Sequence, residues 1–115
     1  MQHYMTLGVK LFELVRAGHK TVELRVNDEK RQRVQVGDTV VFSNQEDKDA
    51  TVEVRVIGLS HAPSFDELLN ASNLHLCGYS KNTTHAEAVA AVRRYYLETE
   101  EREYGVVAIE IEVLK

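Results

Sequence analysis

Three segments of the chain alternate strictly between apolar residues and polar or small ones, and this alternation constrains the fold more than any other feature. Val22, Leu24 and Val26 interleave with Glu23 and Arg25; Val52, Val54 and Val56 with Glu53 and Arg55; Val107, Ile109, Ile111 and Val113 with Ala108, Glu110 and Glu112. Successive side chains on a strand point to opposite faces, so a period of two predicts half-buried strands. The expected strands are Thr21–Val26, a long one over Thr51–Leu59 and a closing one over Val107–Val113. Tyr4–Leu7 and Thr39–Ser43 read as two more. The latter follows the turn residues Val36-Gly37-Asp38, and Asn44–Asp49 reads as the polar connection of a hairpin.

The helical signals have a different spacing. Leu11, Phe12 and Val15 share one face of a helix over Val9–Ala17, while Lys10, Glu13 and Arg16 lie off it. Gly18 is placed to end that helix in the left-handed conformation. Ser64 with Glu67, and Thr84 with Glu87, have the spacing of capping boxes. They predict one helix running to about Ala71 and another continuing over Ala88–Leu97. Asn27–Val34 reads as a loop or short helical turn, and Ser72–Asn82 as irregular. No repeat or linker interrupts the 115 residues, which suffice for one core, so a single domain over 1–115 is expected. The fold class is α+β, with a mostly antiparallel, strongly curved sheet or small barrel.

Composition removes several function classes. No apolar run is long enough to span a bilayer, and Met1–Thr6 lacks the basic and apolar regions of a signal peptide, so no membrane partner and a cytoplasmic location are expected. Cys77 is the only cysteine, which leaves no internal disulfide and agrees with a reducing compartment. The net charge of -4 excludes whole-molecule attraction to nucleic acid. A nucleic-acid partner would be held by a local basic patch, which points to a nucleoside, a short single strand or one structured feature. Gly-rich phosphate loops, Gly-x-Ser-x-Gly and His-Glu-x-x-His are absent from the sequence, so kinase, serine-hydrolase and zinc-protease readings fall away. His61, His75 and Cys77 are the candidate metal ligands, but their spacing is not a recurring zinc pattern, and neither a metal nor a cofactor is expected.

The strand at Thr21–Val26 is the chemically unusual one. Glu23 and Arg25 share a face roughly 7 Å apart, with Lys20 at the strand's start. Burying three charges is costly unless they pair or meet a ligand. A carboxylate beside two cations keeps a low pKa, which suits a ligand-orienting acceptor better than a general base at neutral pH. The competing reading is a charge-paired edge strand in solvent. His61, between the long strand and a capped helix, is a candidate cleft wall. Tyr79 either stacks on a base or plugs the core. Lys30, Arg31 and Arg33 form the densest basic stretch, which could guide a phosphate backbone but is diluted by Asp28 and Glu29 into a solvated loop. Arg93-Arg94-Tyr95-Tyr96 reads as a helix segment with one residue of each pair packed and the other exposed.

Gly18-x-Lys20-x-x-Glu23-x-Arg25, followed by Val36-Gly37-Asp38 and a strand, resembles the ASCH family. Further pieces occur in order: Ser64-Phe65-x-Glu67-Leu68, Gly78-Tyr79, Tyr95-Tyr96 and Tyr104-Gly105-Val106. The resemblance covers nearly the whole chain. It implies a PUA-like curved β-barrel with peripheral helices, a cleft beside the Lys20-Glu23-Arg25 strand, and RNA or a nucleoside or nucleotide as partner. The ligand-binding residues it points to are Lys20, Thr21, Glu23 and Arg25, to which the residue reading adds His61 and Tyr79.

A related branch hydrolyses N(4)-acetylcytidine with a Lys, a Thr and a Glu. Lys20 matches that Lys, but Glu23 stands where the Thr falls, Thr21 aligns with a neighbouring Thr, and Ser80–Asn82 offers no carboxylate where the Glu falls. The leading expectation is therefore an RNA- or nucleotide-binding domain. The alternative is a metal-independent amidohydrolase of an acylated cytidine, with Glu23 activating water and Lys20 steadying the oxyanion as its catalytic pair. A third reading is a ribonuclease, in which Lys20, Arg25 or His61 stabilises a phosphorane-like transition state.

Overall fold

In the computed structural model, which describes residues 1–114, the alternating segments join one five-stranded sheet. Its strands are β1 (Gln2–Leu7), β2 (Val22–Val26), β3 (Thr39–Asn44), β4 (Asp47–Ala62) and β5 (Val106–Val113), in the spatial order β1-β3-β4-β5-β2. β1 runs parallel to β3, and the other three pairings are antiparallel. The expected α+β class and the curved, mostly antiparallel sheet are both found. The curl stops short of a closed barrel: β1 and β2 are edges, and the seam between them carries no strand pairing.

β4 is longer than its alternation suggested, because Gln45 and Glu46 alone make the turn from β3. Val52, Val54 and Val56 face inward as expected. Val56 then pairs with Ile111 and Gly58 with Glu110, so Ile57 is an extra residue that bulges out and bends the strand. That bend lets one strand serve the sheet over 16 residues.

The sheet is packed on both faces. Met5, Leu7, Phe12, Val15, Val40, Phe42, Val54, Val56, Val107, Ile109 and Ile111 belong to one core, closed by helix α1 (Val9–Arg16). Val22, Leu24, Val26, Val106 and Ala108 belong to a second, with helices α2 (Phe65–Leu68) and α3 (His85–Val92) over it. β5 feeds both cores, so Ala108, on the small-residue face of the alternation, is buried like its neighbours.

The helices depart from expectation at their ends. Ser64 caps α2 as read, but the helix stops at Leu68. Asn70 and Asn73 turn the chain there: Asn73 Oδ1 accepts from the Asn70 N–H, and Asn70 Oδ1 from the N–H groups of Ser72 and Asn73. The box of Thr84 and Glu87 starts α3, which ends at Val92, five residues before Leu97. Residues 93–96 turn, and a helix α4 (Glu98–Tyr104) follows that the sequence reading did not anticipate. Arg93 fixes this reversal by donating to both oxygens of Glu101 on α4 at 3.0 Å, while Glu101 Oε2 accepts the Phe65 N–H at 2.9 Å. Arg93 and Arg94 are both exposed, whereas Tyr96 packs beside Phe65 with Tyr95 exposed, so only the tyrosines divide as expected.

No helix among the described residues is long and apolar enough to cross a membrane.

Candidate functional site at the open seam

The C-terminus of α1 sets the site. Gly18 adopts φ +80°, and the His19 and Lys20 N–H groups both close on the Leu14 carbonyl, which turns the chain sharply into β2. This turn sends the Lys20 side chain inward, where it is 3% exposed. Its Nζ donates to the carbonyl of Val22 at 2.7 Å and that of Cys77 at 2.9 Å, and lies 3.2 Å from Glu23 Oε1. Gly78 makes room for it: with φ +94°, it has no Cβ, which would sit 3.3 Å from Lys20 Cδ.

Glu23 is 4% exposed, so the charged face of β2 is an interior surface rather than a solvated edge. Arg25 Nε and Nη2 approach Glu23 Oε2 at 2.8 and 2.7 Å. Arg25 Nη2 also donates across the seam to the Thr6 carbonyl of β1 at 3.2 Å. Burial pushes the Glu23 carboxyl up, but the Lys20 and Arg25 cations and their hydrogen bonds prevail and hold it below the usual glutamate value. Burial likewise opposes the Arg25 charge, and Glu23 with the Tyr96 phenol more than restores it.

The donor and acceptor tally separates these groups. A lysine ammonium has three donors, and Lys20 faces three acceptors. A carboxylate has about four lone-pair sites. The contacts of Glu23 use two on Oε2 and one on Oε1, so one site on Oε1 stays open.

These residues border a cavity of about 320 Å³ at the seam. Leu7 and Leu11 come to it from the first core; Leu24, Cys77, Tyr79, Val92 and Tyr96 come from the second. The cleft is thus the place where the two cores do not meet. The bonds from Ile111 N–H to the Thr21 carbonyl and from Asn27 N–H to the Gly105 carbonyl direct the odd-numbered residues of β2 toward β5. Leu24 therefore turns its own N–H and C=O into the cleft. Tyr79 and Tyr96 are half-buried walls, and Tyr95, 75% exposed, stands at the rim.

Of the residues singled out from the sequence, Lys20, Glu23, Arg25 and Tyr79 are gathered here. Thr21 is not among the lining residues; its N–H goes to Leu76 and its carbonyl to Ile111. His61 lies on β4, the central strand, where it pairs with Val107 of β5; it is exposed and does not line the cleft. Tyr79 packs on the second core and also lines the cavity. Burial pushes its phenol up to about 12 and the Cys77 thiol up to about 11, which leaves Cys77 an apolar wall rather than a nucleophile. No group of three or more His, Cys, Asp or Glu side chains suited to a metal occurs among the described residues.

The curled mixed sheet with peripheral helices is the PUA-like fold. The chain belongs to the ASCH domain family, whose profile matches residues 5–115. The hypothetical protein PH0355 is similar at 35% identity, with 99% of this chain and 100% of that one covered and a TM-score of 0.83. Protein PF0455 from Pyrococcus furiosus is also 35% identical, over 100% and 99% of the two chains, with a TM-score of 0.71. An ASCH domain from Lactobacillus crispatus shares the fold at 15% identity and a TM-score of 0.68, covering 96% of this chain and 79% of its own. No curated protein matches the chain.

Proposed function

We propose that the domain binds a nucleoside or nucleotide unit, free or within RNA, by enclosing its base in the seam cleft. The observation that carries this reading is the buried Glu23 with one unfilled acceptor site on Oε1. An exocyclic amine such as that of cytosine supplies the matching donor. The inward N–H and C=O of Leu24 add a donor and an acceptor for a ring edge, and Tyr79 and Tyr96 offer stacking faces. The cavity volume lies at the lower end of the range for small-ligand sites.

Two features weigh against hydrolysis. Glu23 is held ionised and hydrogen-bonded, which makes it a weak proton acceptor at neutral pH. Lys20 is committed to two carbonyls and to the Glu23 ion pair, which leaves it badly placed to serve an oxyanion. The ribonuclease reading is left with Arg25, which is paired with Glu23, since Lys20 is committed elsewhere and His61 lies outside the cleft.

The test is calorimetric titration with cytidine, uridine and N(4)-acetylcytidine, with product analysis in parallel. Glu23→Gln is expected to weaken cytidine at least tenfold while the parent forms no cytidine from the acetylated nucleoside. Equal cytidine affinity in the two proteins, with both folded by circular dichroism, would sink the cleft reading. Turnover by the parent would restore the amidohydrolase.

A further inference from the structure

We infer that Lys30 is a phosphate anchor, set one step along the seam from the cleft and serving the nucleotide whose base the cleft holds. The inference rests on the nucleoside reading above and adds a second, separately testable subsite.

The geometry comes from the free edge of β1. The Met1 and Leu7 carbonyls accept from Thr39 and Gln45, so the odd-numbered residues of β1 turn their backbone toward β3. Tyr4 and Thr6 turn theirs toward the seam. Each of those outward carbonyls is taken by a cation: Thr6 by Arg25 Nη2 at 3.2 Å, and Tyr4 by Lys30 Nζ at 2.8 Å. Residues two apart on a strand are roughly 7 Å apart, so the two cations are pinned at about that spacing along one line. Arg25 lines the cleft, and Lys30 stands beyond its end.

The charges of the two cations differ in kind. Arg25 shares the Glu23 carboxylate with Lys20, Arg31 is paired with Asp28 and Arg93 with Glu101. Lys30 has no ion-pair partner among the described residues, and its hydrogen bond to Tyr4 occupies one of three donors. Its side chain is exposed. It is therefore a positioned cation with two donors facing solvent, which suits a phosphate oxygen. Of the nearby acids, Asp28 is engaged by Arg31, and Glu29 is exposed and forms no ion pair with Lys30. A single anchor of this kind fits a chain of net charge -4, which has no attraction for a long polyanion.

The phosphate could belong to a free nucleotide or to a single-stranded backbone, and the test separates them. Cytidine, cytidine 5′-monophosphate, cytidine 3′-monophosphate and a cytidine trinucleotide are titrated at low salt into the parent and into Lys30→Gln. At least one phosphorylated ligand is expected to bind the parent roughly tenfold tighter than cytidine. Lys30→Gln is expected to remove that increment and flatten its salt dependence. A gain confined to the trinucleotide identifies a backbone phosphate. No increment in the parent, or the same increment in Lys30→Gln, overturns the anchor while cytidine binding leaves the cleft reading standing. Absence of cytidine binding to the parent overturns both.

Discussion

Lys20 Nζ donates to the carbonyl of Cys77, a residue 57 positions later in the chain, and so fastens the start of β2 to the segment that walls the cleft. The same ammonium balances the buried Glu23. Lys20→Met keeps most of the volume but leaves that carboxylate with one cation and orphans two carbonyls. Breaking a buried pair in this way costs about 3–5 kcal/mol. Urea denaturation of Lys20→Met is expected to show a loss of that order, and a loss below about 1 kcal/mol would mean that the pair contributes nothing net.

Glu101 is the corresponding tie on the helical side. It is 3% exposed and holds Arg93 of the turn and the Phe65 N–H of α2 together. Glu101→Ala leaves a buried amide without a partner and frees the turn after α3. The expected loss is roughly 2–3 kcal/mol. Because residues 93–96 carry Tyr95 and Tyr96 to the cleft, cytidine affinity should fall as well. A stable variant with unchanged affinity would show that the rim is held by other contacts.

Acid should reveal Asp38. Its carboxyl accepts from the His3 ring at 2.8 Å and from the Gln35 N–H, and these bonds lower its pKa from 3.8 to about 2 against the opposing effect of burial. A depressed carboxylate favours the folded state when ionised, so this stabilisation is complete above about pH 4 and is lost as pH falls toward 2. With allowance for screening near the surface, it amounts to about 1–2 kcal/mol. Glu23 and Glu101 are shifted in the same direction and carry the same sign. Asp38→Asn should therefore lower stability at pH 7 and shrink the drop between pH 4 and pH 2. A drop identical to that of the parent would contradict the assignment.

The strands were legible because burial on one face writes itself as a period of two. Val22, Leu24 and Val26 are buried as their spacing requires. What the period cannot say is whether the opposite face meets water. In β2 it meets the cleft, and this depends on the packing of the preceding helix α1 and on the segment through Cys77, which is remote in sequence. Helix starts were legible at Ser64 and Thr84, where side-chain caps are local. Their ends were not, because Asn70 with Asn73 and Arg93 with Glu101 decide them through turns and tertiary bonds. α4 left a faint trace in the acidic Glu98, Glu100 and Glu101 of its first turn and in the Gly105 that ends it. Four of the site residues came from the charged motif and Gly78-Tyr79. Gln45 lies on a hairpin tip and Leu11 on an apolar helix face, and nothing local marks either as a cleft wall.

Among the described residues, the sheet's seam is fastened by side chains and by no ladder of its own. Arg25 and Lys30 bridge it through single bonds to β1 carbonyls, so altering either residue breaks no strand pairing. The width and charge of the opening can drift in descent while the scaffold stays intact. Relatives with the same architecture are thereby free to diverge in the guest they admit, and the residues at these two positions will be a better guide to that guest than the fold.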